Sequence, residues 1–196
     1  MMALVRRLPV LPTIVVLVAV GIMIRLGFWQ LDRMQEKEAL LERYAAASTQ
    51  SSKVEWPTDE TQVADRLYRR SGLVCASVSS VSSTAGKNAS EQSGLAVTAT
   101  CLAPGGVPAK VVLGWSNEPK PVAWTGGEVT GIIAPGPRLV ADPPLVGLEA
   151  SAAPDPSELP NNHFAYAVQW FLFALVALVI YALAVRKRLA RGGEEG

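Results

Sequence analysis

Residues 164–185 read FAYAVQWFLFALVALVIYALAV, a run of 22 residues without a charged side chain. At 1.5 Å per residue, such a helix is about 33 Å long, which matches the hydrocarbon core of a bilayer. Asn162, just after Pro160, is the expected N-cap, and the run Arg186-Lys187-Arg188 ends the apolar stretch. Helices this long and this apolar are unusual in water-soluble proteins. The sequence therefore predicts a transmembrane helix within residues 161–185.

A second apolar stretch lies near the other end of the chain. Residues 8–24 read LPVLPTIVVLVAVGIMI, and residues 8–29 reach spanning length if the Arg25 side chain extends to the membrane surface and Trp29 lies at the interface. A cleaved signal peptide is the alternative, because Arg6-Arg7 form a basic start. No small-residue cleavage site followed by a polar segment occurs at the expected distance. Residues 8–29 are therefore predicted as the first transmembrane helix.

Charges beside the two stretches predict their orientation. Residues 1–7 contain two arginines, and the basic tail at residues 186–196 contains three arginines and one lysine. The positive-inside rule places both ends in the cytoplasm and the intervening domain outside the cell. An Arg- and Ser-rich amphipathic transit sequence does not precede the first stretch, which favours a bacterial plasma membrane over a mitochondrial one.

Composition and motifs argue against several classes of function. Charged residues make up 18% of the chain, below the usual quarter, and the net charge is +1 without long basic runs, so nucleic acid is not an expected partner. One histidine excludes a multi-histidine metal site within one copy. The chain has no GxSxG, P-loop or HExxH motif, and a Ser–His–Asp triad would need His163 at the membrane interface. No enzyme and no catalytic residue are predicted.

Residues 49–160 are predicted to form a mainly β domain. Residues 30–48 precede it as a juxtamembrane helix rich in helix formers. Segments rich in Val, Ile and Thr are then separated by Gly and Pro clusters, as in an antiparallel sheet or barrel: residues 67–81, 95–102, 107–115 and 128–134. The Ser-rich residues 78–93 are predicted as a floppy hairpin tip or a loop, and the Pro-rich residues 139–160 as an extended return strap. The expected fold class is a membrane protein with two transmembrane helices flanking an extracytoplasmic β domain.

Two features of this region leave alternatives open. Arg33 and Lys37, four residues apart, either belong to an ordinary solvated helix, with Arg33 paired to Glu36, or face lipid headgroups or a partner. Cys75 and Cys101 fall in predicted strands on the oxidising side of the membrane, where a disulfide is permitted. Two buried small hydrophobic residues are the alternative for the cysteines.

The second transmembrane helix carries one face that is aromatic near the outer surface and small deeper in the membrane. At 100° per residue this face comprises His163, Tyr166, Ala167, Trp170, Ala174, Ala177 and Tyr181. Small residues let helices approach closely in lipid, so one interpretation is packing against the first helix, with His163 solvated. The other is that His163 binds a cofactor with a planar apolar body, since neutral imidazole is a good iron ligand.

Two motifs lie at the two ends of the central domain. Gly27-Phe28-Trp29-Gln30-Leu31, with Arg33 and Lys37, closes the first helix, and Asn161-Asn162-His163-Phe164-Ala165-Tyr166-Ala167, with Gln169-Trp170-Phe171, opens the second. They resemble the G-x-W-Q-x-x-R-x-x-x-K and N-N-H-x-x-Y-A-x-x-W-F signatures of the surfeit-locus family of cytochrome c oxidase assembly proteins. Leu113-Gly114-Trp115 stands where that family has R-G-W, so the usual Arg is replaced.

This resemblance implies a factor for maturation of the haem–copper cytochrome c oxidase, which assists haem a insertion into subunit I or stabilises that subunit. The implied partners are subunit I, the machinery of haem a synthesis and assembly, and the lipid bilayer. His163 would offer one axial ligand to haem iron, with Tyr166 and Trp170 in contact, and a second ligand would come from the oxidase, a second copy or water. Contacts with a partner or the membrane are implied for Trp29, Gln30, Arg33, Lys37 and Asn162.

Two alternative hypotheses assign the chain to a different class of protein. A permanent accessory subunit of a respiratory complex would share the same membrane topology, but it would remain stoichiometric in the purified mature oxidase. A membrane-anchored extracytoplasmic enzyme is the third hypothesis. The lack of a catalytic constellation in the sequence weakens it.

Overall fold

The computed structural model describes residues 9–103 and 106–191. The predicted cytoplasmic N-terminus at residues 1–7, the first residue of the predicted segment 8–29, residues 104–105 and the end of the basic tail lie outside the described residues. The chain divides into two compact units. One is formed by the two terminal helical regions, and the other comprises Leu41–Leu159.

The elements follow the order α1 (Val10–Ser48), β1 (Val54–Glu55), α2 (Glu60–Arg66), β2 (Arg70–Cys75), β3 (Ser77–Lys87), β4 (Ser93–Ala103), β5 (Val107–Ser116), β6 (Gly127–Ala134), β7 (Arg138–Ala141), a 3-10 turn (Pro156–Glu158) and α3 (His163–Arg191). Helix α1 runs without a break through residue 29, where the sequence analysis separates a membrane segment from a juxtamembrane helix. Residues 30–48 contain neither Gly nor Pro, so nothing in them ends the helix.

The two long helices expose much of their apolar surface. Among the described residues, both are long and apolar enough to cross a membrane. Leu11 of α1 is 74% exposed, and Phe164 and Ile180 of α3 are 61% and 62% exposed. Apolar faces this extensive are unfavourable in water and ordinary in lipid. The predicted fold class, two apolar helices around a β domain, is confirmed.

The strands form one seven-stranded sheet in the order β1-β2-β6-β7-β5-β4-β3. Strands β2 and β3, which are the second and the last strand of this order, are separated in the chain only by Ala76. Strand β2 pairs with β6, whereas β3 pairs with β4, and the Ala76 N–H donates to the Leu102 carbonyl at 2.8 Å. One bent strand therefore closes the sheet into a barrel-like shape.

Two details of the sheet differ from the sequence-based expectation. The pairings β1–β2 and β5–β7 are parallel, so the sheet is mixed rather than purely antiparallel. Residues 78–93, predicted as a floppy hairpin tip or a loop, mostly form the regular strand β3, which pairs with β4 from Ser77 to Lys87. Serine has little strand preference by itself, and pairing with β4 along its whole length overrides that local preference.

The core of the β domain lies mainly on one face of the sheet, and a smaller buried cluster of Val112, Ala134 and Val140 lies on the other face. The fully buried side chains alternate along the strands with more exposed ones, and they include Val97, Ala99 and Cys101 of β4, Val111 and Leu113 of β5, Ile133 of β6 and Leu139 of β7. A disulfide joins Cys75 of β2 to Cys101 of β4, with 5.6 Å between their Cα atoms. Strands β2 and β4 are not neighbours in the sheet order, so this bond joins them at the corner where β2 continues into β3.

Candidate functional site

The two long helices pack against each other in an antiparallel arrangement along a seam of small residues. A Cβ at Gly27 would lie 2.6 Å from the ring of Phe171, so any larger residue would force that ring to move. The ring of Phe28 meets Phe171 edge-on, with 5.4 Å between centroids. Farther along, the hydroxyl groups of Thr13 and Tyr181 are hydrogen-bonded. Close approach at small residues is the usual way helices associate in lipid.

Only some residues of the predicted face of α3 lie in this helix packing. Ala167 and Ala174 are buried, and Trp170 is half-buried with its ring 6.3 Å from that of Phe173. Tyr166, however, is 51% exposed and points away from the seam. The aromatic end of the face therefore remains available for contact with another molecule.

His163 and Gln30 form a polar pair at one end of the helix seam. The Nδ1 atom of His163 lies 2.7 Å from the Oε1 atom of Gln30, and both side chains are partly buried. Because Oε1 can only accept, Nδ1 carries the proton, and the neutral ring then has its lone pair on Nε2. Nitrogen Nε2 is thus the atom that can coordinate a metal or accept a hydrogen bond. No cluster of three or more His, Cys, Asp or Glu side chains suited to a metal ion occurs within residues 9–103 and 106–191.

The lengths of the apolar stretches explain why these two residues meet. Gln30 directly follows the apolar part of α1, and His163 directly precedes that of α3. In an antiparallel pair of similar length, the last residue of one stretch faces the first residue of the other. The pair therefore lies at the expected membrane interface, on the side where the chain continues into the β domain.

Two asparagines precede His163. The Asn162 carbonyl accepts the first helical hydrogen bond, from the Tyr166 N–H at 3.3 Å, as expected for the residue before α3. The Oδ1 atom of Asn161 is buried and has no hydrogen-bond partner among the described residues. A buried acceptor without a donor is unfavourable, so this oxygen can receive a hydrogen bond from a bound group.

The remaining predicted contact residues lie on α1. Trp29 is 49% exposed. Arg33 forms an exposed ion pair with Glu36, which is the ordinary solvated arrangement. Lys37 is half-buried. The structure brings Gln30 to His163, and it does not bring Arg33 or Lys37 to that imidazole.

A second concave region, which the sequence analysis did not predict, lies within the β domain. A cavity of about 790 Å³ opens between the sheet and residues 151–159. Hydroxyl-bearing residues of β3 and β4 line it, together with the cationic Lys110 and Arg138 and the acidic Asp155 and Glu158. Burial, followed by the nearby Tyr44 and acidic groups, raises the pKa of Tyr68, which also lines this cavity.

The fold and the helix-end pair define a membrane-anchored β-domain protein whose one histidine lies where a membrane helix begins. The sequence model of the SURF1 family matches residues 17–175. The match covers well over half of the 196 residues and includes both motifs, so the chain belongs to the SURF1 family. That family is linked to cytochrome c oxidase assembly and is not a known enzyme family. No curated protein matches the chain.

Proposed function

We propose that this chain assists haem a insertion into subunit I of cytochrome c oxidase, or stabilises that subunit during insertion, in a bacterial plasma membrane. Membership of the SURF1 family supports the oxidase as the target. The proposed orientation has both termini in the cytoplasm and the β domain outside. It rests on the basic residues after the second apolar stretch, including Arg186 and Arg188, together with Arg6-Arg7, which lie outside the described residues.

The haem part of the proposal is carried by the hydrogen bond between His163 and Gln30. Haem a supplies an iron atom that a neutral imidazole nitrogen can coordinate. The donor chemistry fits, because Gln30 holds the proton on Nδ1 and leaves Nε2 with its lone pair. Tyr166 and Trp170 are the aromatic side chains of this helix end that would contact the planar group. A single histidine provides one axial position, so the second ligand would come from the oxidase, another copy or water.

Deletion of the gene tests the oxidase role. We expect membranes of the deletion strain to lose most of the haem a absorbance while the haem b absorbance remains. Reintroduction of the unaltered gene is the control, because it should restore the haem a spectrum. Unchanged haem a absorbance and oxidase activity in the deletion strain would contradict the proposal.

The variant His163→Ala tests the haem contact. We expect less haem to co-purify with this variant than with the unaltered chain, at equal protein content in the membrane. Gln169→Ala is a matched control, because Gln169 is an exposed polar residue on the same helix and should leave haem content unchanged. Equal haem content in the His163→Ala protein would make His163 a structural interface residue.

Purification of the mature oxidase distinguishes the assembly factor from the permanent accessory subunit. An assembly factor binds intermediates and should be absent from the active, haem-loaded complex. A permanent subunit should remain at one copy per oxidase through every step. Quantitative mass spectrometry of both the intermediate and the mature complex measures this directly.

A further inference from the structure

Strand β3 presents an unpaired edge. It is the last strand in the sheet order, and its only strand partner among residues 9–103 and 106–191 is β4. An irregularity between Val78 and Ser80 precedes a stretch of regular pairing that ends at Lys87. Residues 80–86 carry no charge, and most of their side chains are exposed. Natural proteins usually protect such an edge with charges, prolines or a covering segment.

The direction of the unpaired groups follows from the hydrogen bonds at the end of this strand. The Lys87 carbonyl accepts from the Ala152 N–H at 2.9 Å, so the backbone of Lys87 faces away from β4. Outward and inward residues alternate along an antiparallel strand. The N–H and C=O groups of Val81, Ser83 and Ala85 therefore also face away from β4. No backbone hydrogen bond to them from outside β4 occurs in the described part of the chain.

The chain already adds a segment to this edge at its far end. Asn88 and Ser151 form an antiparallel bridge, and the Ala89 N–H donates to the Ala150 carbonyl at 3.0 Å. Residues 150–152 thus pair in line with β3, and the following residues 153–159 form no backbone hydrogen bond with β3 in the described part of the chain. The same row of backbone groups continues unoccupied along residues 80–86.

Cavities beside the edge can take the side chains of an added strand. A cavity of about 360 Å³ adjoins the first half of β3 and is bounded by Trp124 and Thr125. The larger cavity described above is lined by Ser82, Thr84 and Gly86 of the same strand. Domains that bind peptides by strand addition combine such an open edge with pockets for alternate side chains.

We propose that the edge of β3 binds an extended segment of an oxidase subunit as an added β strand. A row of backbone donors and acceptors is satisfied by another extended backbone, which defines the chemistry of the partner. A second copy of the chain fits this edge less well. Its β3 continues directly into β2, so a copy paired along residues 80–86 would extend past them and overlap residues 150–152, which already pair at Lys87 and Asn88. The inference rests on the proposed function, which names the oxidase as the target.

Peptide binding to the full chain in nanodiscs tests this inference. The probes are overlapping synthetic peptides of about 12 residues, long enough to pair with residues 80–86, that cover the extracytoplasmic segments of the oxidase subunits of the same organism. We expect at least one peptide to bind and to slow amide hydrogen exchange across residues 80–86. Ser83→Pro removes one outward N–H without removing a bond to β4 and should weaken binding about tenfold.

Matched variants separate the edge from the side chain and from misfolding. Ser83→Ala keeps the N–H and should bind the peptide as the unaltered chain does. Ser83→Lys keeps the backbone N–H and places a charge on the edge, so it should weaken peptide binding. This variant keeps the inference testable if the proline variant does not fold.

Three results would overturn the inference. The first is that no peptide binds at about 1 mM although gene deletion impairs the oxidase, which leaves the proposed function standing. The second is that exchange slows with protein concentration in the absence of peptide, because the occupant is then a second copy. The third is that gene deletion leaves the oxidase intact, which removes the proposed function and this inference together.

Discussion

His163 Nδ1 lies 2.7 Å from Gln30 Oε1, although the two residues are 133 positions apart in the chain. Each residue stands at the end of an apolar stretch, and packing of the two helices brings the ends together. The carbonyl oxygen of Gln30 decides which imidazole nitrogen keeps the proton. Under the proposed function, Gln30 would therefore be a positioning residue for Nε2 of His163.

Gln30→Leu should change the tautomer of His163. The leucine side chain has a similar volume but offers no acceptor, so the proton is no longer held on Nδ1, and the lost hydrogen bond costs about 1 kcal/mol. Nitrogen NMR of protein labelled in histidine reports the protonation of both ring atoms, and the chain has one histidine, so the assignment is unambiguous. Gln169→Leu is the control and should leave both resonances in place. An unaltered pair of resonances in Gln30→Leu would argue against the positioning role.

Gly27→Ala should weaken the packing of the two long helices. The added Cβ would lie 2.6 Å from Phe171, so the ring must move, and overpacking of this kind costs about 1–3 kcal/mol. Unfolding with SDS in mixed micelles, followed by tryptophan fluorescence, measures the loss. Gly21→Ala is the matched control, because a Cβ there meets nothing within 4 Å. It measures the general effect of alanine on helix stability, which can then be subtracted from the result for Gly27→Ala.

A double variant tests whether Phe171 is the cause. In Gly27→Ala combined with Phe171→Leu, the smaller side chain should relieve the clash. The double variant should therefore lose less stability than the sum of the losses measured for the two single variants. Additive losses would place the effect of Gly27 elsewhere.

Replacing both Cys75 and Cys101 with alanine should destabilise the β domain by about 3.5 kcal/mol. The disulfide closes a loop between residues 26 positions apart, and the released chain gains entropy when it unfolds. Urea unfolding of the β domain in the full chain measures the difference. A reducing agent should lower the stability of the unaltered protein and leave the double variant unchanged. Equal stability of the two proteins without reductant would show that the bond contributes little.

The sequence predicts the parts of the structure that depend on local pattern. A continuous apolar run is sufficient to predict each long helix, because both length and hydrophobicity are read directly from neighbouring residues. The same holds for the strands β4 and β5, whose Val and Thr content favours extended backbone. The start of α3, directly after Asn162, could be predicted as well, because the signals for a helix start lie within a few neighbouring residues.

Other features depend on pairing between distant residues and could not be predicted from the sequence. The Ser-rich β3 is a strand because β4 lies beside it, and its own composition favours a loop. The role of Gln30 requires the antiparallel packing that brings it to His163. The closure of the sheet depends on the bend at Ala76, which has no local signature in the sequence.

The stability of the β domain should decline at high pH through Tyr68. Burial is the largest cause that raises the pKa of Tyr68, with the nearby Tyr44 and Asp155 adding to it. The raised pKa means that the folded state keeps the phenol proton after the unfolded chain has lost it. The stabilisation is therefore complete below pH 10.0, the ordinary value, and is lost as the pH rises toward the folded-state pKa.

Tyr68→Phe isolates this contribution. Above pH 10.0, the urea midpoint of the variant should fall less with rising pH than the urea midpoint of the unaltered protein. The reason is that phenylalanine has no proton to lose. Lysine side chains, including Lys87, whose pKa is raised mainly by its hydrogen bond to Glu91, titrate in both proteins and cancel in the comparison. Near-ultraviolet absorbance should show one phenol fewer titrating late in the variant. Parallel declines of stability in the two proteins would place the alkaline sensitivity on other groups.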